Sequence, residues 1–137
     1  MSSLIDPGDL RLRLGVDSMD ETHREFVELI NALAQADRAS FISKFRQLIE
    51  HTETHFHAEN RLMEETGFAA TREHKDEHLR VLGELNRIGA KVAKGSVMLG
   101  RTYVREQLPT WFSLHAITMD SALAAHIRSQ QLKPSKA

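Results

Sequence analysis

The feature that most constrains this chain is a set of titratable side chains lying on an apolar helical stripe. Across Thr52–Leu82, His55 and Glu59 stand four residues apart, and so do His74 and His78, on either side of Gly67. Positions four apart share one face of a helix, so each pair offers two side chains to a single point. Before the glycine the inward seam runs Phe41, Phe45, Leu48, Thr52, His55, Glu59 and Leu62, in steps of three and four. After it the seam reads His74, His78, Val81, Leu85, Ile88 and Val92. A buried carboxylate without a partner costs several kcal/mol, so Glu59 requires something to compensate its charge. With a turn at Gly67, the midpoint of the first pair lies about 10 residues before it and that of the second about 9 after. At a rise of ~1.5 Å per residue these are the same level of a helical hairpin. The four side chains can converge.

The same reckoning extends to the rest of the chain. Ser18, with Glu21 three residues on, predicts a capped helix from Ser18 to about Asp37. Its stripe, Met19, His23, Phe26, Ile30 and Leu33, carries His23 on the apolar face. A second helix is expected over Ser40–Thr66, with Ser40 as N-cap and Gly67 as its stop. A third runs Thr71–Lys94 and ends at Gly95. Gly83 and Gly89 inside it cost about 1 kcal/mol each against alanine, so close packing has to carry this helix. The fourth begins between Ser96 and Thr102, with the stripe Val104, Leu108, Trp111, His115, Thr118 and Ala122 and with Asp120 nearby. Pro109 predicts a bend or a restart just before Trp111. His115 and Asp120, five apart, stand about 140° from each other on an α-helix, poor for chelating one ion but suited to a carboxylate that reaches along a pair.

The architecture expected is all-α: an up-down-up-down antiparallel four-helix bundle over residues 18–132, preceded by an extended arm, residues 1–17, and followed by a disordered tail, residues 133–137. In the arm Leu10, Leu12, Leu14 and Val16 alternate with Arg11, Arg13 and Gly15, the period of a segment with one covered face. That face covers a seam of the bundle or makes a dimer contact.

Composition narrows the chemistry. Basic residues number 18 and acidic 19, which gives no electrostatic footprint for nucleic acid or an anionic membrane. Cysteine is absent, so any metal site uses nitrogen and oxygen. No run reaches the length of a membrane span and the first residues lack the pattern of a signal peptide, so a cytoplasmic monomer or weak homo-oligomer is expected. His23, His55, His74, His78 and His115 with Glu59 and Asp120 make seven candidate metal ligands, drawn from all four helices. Seven exceed what one transition metal needs, which favours two ions bridged by the carboxylates. Imidazole with carboxylate suits iron, manganese or zinc alike. His51, His57 and His126 are assigned to the surface or to supporting contacts, with His51 placed to orient His55 or Glu59 by a hydrogen bond. A dizinc hydrolase is disfavoured by the lack of an HExxH pattern.

MDETHREFVELINAL around His23, HFHAEN with His55 and Glu59, the HKDEH pair and WFSLHAITMD with Trp111, His115 and Asp120 together resemble the hemerythrin-like family, in its single-domain bacterial type. The resemblance spans about residues 17–126 and fills every ligand position of the family pattern. It implies a non-heme centre of two iron ions, ferrous or ferric, with an oxo or hydroxo bridge, that binds dioxygen reversibly. By that similarity His74, His78 and His115 hold one iron, His23 and His55 the other, and Glu59 and Asp120 bridge them. Storage, delivery or sensing of oxygen is the implied role. The alternative is a di-iron enzyme acting on peroxide, oxygen or nitric oxide; the redox or delivery partner stays open. Thr118, one turn past His115, is expected either to put a hydroxyl beside the oxygen pocket and speed autoxidation, or to bond its own helix carbonyl.

Overall fold

The computed structural model describes residues 4–132, and the tail expected at residues 133–137 lies outside them. Helix α1 spans Asp17–Gln35, α2 Arg38–Thr66 and α3 Thr71–Ala93. A fourth rod is built in pieces: α4 over Val97–Glu106, α5 over Leu108–His115, a π-helical turn over Ala116–Asp120, and α6 over Ser121–Leu132. The rod closes a four-helix bundle, with α1 on α2, α2 on α3, α3 on α4 and α4 back on α1. Connections of two to four residues make sequence neighbours antiparallel, the up-down-up-down order the sequence predicts.

Two apolar clusters fill the bundle. The larger takes Phe26, Ile30, Phe41, Phe45, Phe56, Leu85 and Phe112, and the smaller takes Met19, Met63, Leu123, Ala124 and Ile127. On α1, α2 and the fourth rod, titratable residues fall between the two: His23 between Met19 and Phe26, Glu59 between Phe56 and Met63, and His115 with Asp120 between Phe112 and Leu123. On those three rods the polar layer is flanked by hydrocarbon on both sides. The seam of α2 continues through Met63 rather than Leu62, which is only partly buried.

Helix ends differ from the sequence expectation in two places. α1 opens one residue early, after Val16, without a side-chain cap; the Asp20 carboxylate instead accepts from the Leu14 and Gly15 amides at 2.7 and 3.1 Å. α2 is capped by Asp37, whose carboxylate accepts from the Ser40 amide at 2.8 Å, so Ser40 lies inside the helix. At α2 the Asp37 carboxylate competes better for a free amide than a serine hydroxyl, while at α1 the helix start is tied to the arm through the Asp20 carboxylate. Gly67 ends α2 at φ 63°, with the Phe68 amide on the Met63 carbonyl at 3.0 Å, the paired closure that a left-handed residue allows. The fourth rod breaks at Gln107, and α5 restarts at Leu108 with Pro109 in its first turn, where the missing amide has no helical partner to lose.

The arm forms one 3-10 turn over Leu10–Leu12 instead of staying extended throughout. That turn throws Leu10 outward, 70% exposed, while Leu12, Leu14 and Val16 are buried on the bundle. Alternation therefore holds only from Leu12 onward. Among the described residues no helix is long and apolar enough to cross a membrane.

Close approach is real at one of the two glycines singled out in α3. A methyl group on Gly89 would lie 2.5 Å from Ile49 Cδ1, whereas Gly83 faces open space. Gly100 of α4 is hemmed in from two sides: a methyl group there would lie 2.6 Å from Val92 Cγ2 and 2.8 Å from Phe41 Cε1. Leucine is the better helix former by roughly 0.8 kcal/mol, but overpacking costs about 1–3 kcal/mol. Gly100→Leu is therefore expected to lower the unfolding free energy in a urea melt, and a gain would contradict the close packing of α4 on α2 and α3.

Candidate metal centre

All seven sequence-predicted residues meet at one level of the bundle, each at most 6% exposed. Their arrangement divides by oxygen atom. Glu59 Oε1 faces His74 Nε2 at 3.3 Å and His78 Nε2 at 3.1 Å, while Glu59 Oε2 faces His55 Nε2 at 2.6 Å and His23 Nε2 at 3.8 Å. Asp120 repeats the pattern: Oδ1 stands 3.0 Å from His74 Nε2 and 3.1 Å from His115 Nε2, and Oδ2 stands 2.9 Å from His23 Nε2. Two donor groups result, Glu59, His74, His78, His115 and Asp120 on one side, and His23, His55, Glu59 and Asp120 on the other. Within each group the donor atoms lie within 4.8 Å of one another. Each carboxylate gives one oxygen to each group.

His115 and Asp120 reach the same face because the chain between them is not α-helical. The Ser121 amide bonds the Ala116 carbonyl five residues back, so the turn is wide and its five-residue step brings both side chains round together. The 140° separation expected of an α-helix is thereby corrected. The same wide turn rotates Thr118 to the surface, where its hydroxyl donates to the Leu114 carbonyl at 2.6 Å. Of the two expectations for Thr118, the bond to its own helix stands and the pocket role is overturned.

Metal fits this donor set. Glu59 Oε1, both Asp120 oxygens, His23 Nε2 and His78 Nε2 are buried and lack an aligned hydrogen-bond partner, although nitrogen and oxygen atoms stand near them. The atoms are aimed at shared points more than at each other. His74 Nε2 and His115 Nε2 lie 3.2 Å apart, a separation that two lone pairs tolerate only with a cation or a proton between them. Aromatic rings wall the layer: Phe56 stacks on His78 at 3.9 Å, Trp111 on His115 at 4.8 Å, and Phe112 meets His23 edge-on at 5.4 Å. Trp111 is itself held by its indole N–H, which donates to Glu77 at 3.0 Å. Arg80, with help from that N–H, holds the Glu77 carboxyl down at about 2.

The other histidines stand apart from the layer. His57 is exposed, and His126 donates to the Thr66 carbonyl at 2.7 Å. His51 packs with Phe26 and His55, but its buried Nδ1 has no partner, so the orienting hydrogen bond expected of it is not formed. That contact goes instead to a residue the sequence reading passed over: Asn60, whose side-chain oxygen lies 2.8 Å from His78 Nδ1. The only hint was a polar residue beside Glu59 on the flank of α2 turned toward α3.

A helical bundle enclosing two histidine clusters joined by shared carboxylates defines a metal-binding bundle protein. The family model described as the hemerythrin HHE cation binding domain matches residues 14–130, and the chain belongs to the hemerythrin family. It is similar to a bacteriohemerythrin of Ralstonia nicotianae, 40% identical over 109 residues that cover 80% of this chain and 79% of the relative. A bacteriohemerythrin of Stenotrophomonas maltophilia is 26% identical over 122 residues, 86% of this chain and 78% of its own. One of Pseudomonas paraeruginosa is 34% identical over 71 residues, 49% of this chain and 46% of its own.

Without metal the layer must hold protons instead. Burial opposes a charge on His23 and on His74, but the Asp120 and Glu59 carboxylates outweigh it and raise both to about 9. Burial also works against the charges of Glu59 and Asp120, yet the imidazoles around them keep both well below the usual carboxylate range. His78 moves the other way, lowered chiefly by burial. A histidine raised on folding contributes stability that is complete below its ordinary value of 6.5 and is lost as pH climbs through about 9. Metal-free protein should therefore melt lower at pH 9 than at pH 6, by at least about 3 °C, the shift made by roughly 1 kcal/mol at this size. Metal binding should strengthen over the same range, because an ion displaces those protons. A metal-free melting temperature that is flat or rising from pH 6 to 9 would contradict the buried charge pairing.

Proposed function

We propose that this chain holds two iron ions in its polar layer and binds dioxygen reversibly. The observation that carries the reading is the division of the two carboxylates: Glu59 turns one oxygen toward His74 and His78 and the other toward His55 and His23, and Asp120 turns one toward His74 and His115 and the other toward His23. The three-histidine group with both carboxylates offers five donors and the two-histidine group offers four. The second is the natural place for an external ligand, since it is one donor short. When bound, a ferrous pair supplies the two electrons that dioxygen accepts and gives back.

The protein's own part is to hold the donors and keep the layer dry. Among the described residues the buried polar side chains are the seven of the layer and Thr52. The Thr52 hydroxyl donates to the Leu48 carbonyl at 2.7 Å and is not free to deliver a proton. Phe26, Phe56 and Phe112 fill the space around the histidines. Among the described residues the layer holds no acid or base beyond its seven donors, and His51, packed on His55, makes no hydrogen bond to it, so the layer suits capture and release better than turnover. Iron, rather than zinc or manganese, follows from the family to which the chain belongs, and the imidazole and carboxylate donor set is compatible with it.

The test is anaerobic iron loading and reduction, then exposure to air, followed by visible absorption alongside an iron determination. About two irons per chain and a band that appears with oxygen and fades on its removal are expected. Immediate irreversible conversion to the ferric form, or rapid consumption of peroxide, would move the assignment to a di-iron enzyme. Zinc and no colour would overturn it.

A further inference from the structure

The five histidines of the layer are not supported alike. A ligating imidazole that presents Nε2 must carry its proton on Nδ1, and a partner at Nδ1 fixes that tautomer and the ring's orientation. His23, His55, His74 and His115 each have a buried Nδ1 with no hydrogen-bond partner among the described residues. His78 alone has one, the Asn60 side-chain oxygen at 2.8 Å. Asn60 sits on α2 next to Glu59, so one turn of helix supplies both the oxygen that faces His78 Nε2 and the acceptor behind the same ring. The ring is further clamped by Phe56, whose plane lies 8° from parallel to it at 3.9 Å.

We propose that Asn60 is a positioning residue that holds His78 with its proton on Nδ1 and its Nε2 lone pair toward the ion, and that this support makes the three-histidine group the first to load. The inference rests on the two-ion reading above and adds an order to it. His78 Nε2, 3.1 Å from Glu59 Oε1, then keeps its lone pair on the carboxylate side, where an ion between the two relieves their repulsion and finds both donors already aimed at it. The two-histidine group has no such support: both of its rings are free at Nδ1 to take the other tautomer. Its ion loses part of its binding free energy to that rearrangement.

Two measurements on metal-free and cobalt(II)-titrated protein test the proposal. In the metal-free chain, long-range nitrogen NMR is expected to show His78 protonated at Nδ1, in wild type and in Asn60→Asp, which keeps an acceptor. In Asn60→Leu the signal should move toward the Nε2–H form. Titration against a competing chelator is expected to give two steps in wild type, with the tighter one weakened about 10- to 100-fold in Asn60→Leu, recovered in Asn60→Asp, and the weaker one unchanged. His78 protonated at Nε2 in wild type overturns the proposal even if the leucine variant fails to fold, and so does a leucine variant whose tighter step is unmoved. If wild type takes up only one cobalt per chain, the two-ion reading and the loading order fall together, while the tautomer still decides the role of Asn60.

Discussion

Two carboxylates buried between five imidazoles set the terms for everything else in this bundle. Glu59 and Asp120 lie where the apolar seams of α2 and the fourth rod would otherwise carry leucine. Uncompensated, such charges would cost more than the stability of an ordinary domain can absorb. The histidines answer with protons when no metal is present and with lone pairs when it is, and in both states the charges are balanced only if all four helices keep their relative heights. The hydrophobic clusters on either side provide that alignment: the larger, rich in phenylalanine, locks α1, α2, α3 and α4, and the smaller ties α6 to α1 and α2.

The fourth rod shows how local geometry serves the layer. A continuous α-helix from Val97 to Leu132 would carry Asp120 away from His115. Pro109 breaks the rod below the site, and the wide turn at Ala116–Asp120 changes its register within the site. A π turn sacrifices regular hydrogen bonding, and a chain keeps one where it positions a side chain that the regular helix cannot. Here that side chain is the second shared carboxylate. The arm contributes at the other end, where Leu14 and Val16 pack with Met19, Met63 and Ile127 to close the smaller cluster beside the layer.

Much of this was legible in the sequence. Spacing of four, apolar seams with polar interruptions, and distances from each turn were enough to bring His23, His55, Glu59, His74 and His78 to one level, because straight α-helices obey a fixed rise and twist. What was misread has three causes, and the first is departure from that ideal helix. Of the two places open to Thr118, the pocket fails and the bond to its own helix is made, because the π turn adds about a residue to its turn. The cap expected at Ser40 gave way to Asp37, and that expected at Ser18 is not formed, because the choice among nearby acceptors depends on geometry that spacing alone does not encode. Asn60 was passed over because its partner His78 is on another helix, and side-chain contacts between helices leave no periodic mark.

The central claim is that one layer holds two ions, each against its own histidine group with the carboxylates between them. Anomalous diffraction from crystals of the iron-loaded protein, recorded at the iron edge, tests it most directly. The account predicts two peaks, one among His74, His78 and His115 and one beside His23 and His55, with Glu59 and Asp120 touching both. A single peak, or iron outside this layer, would contradict it.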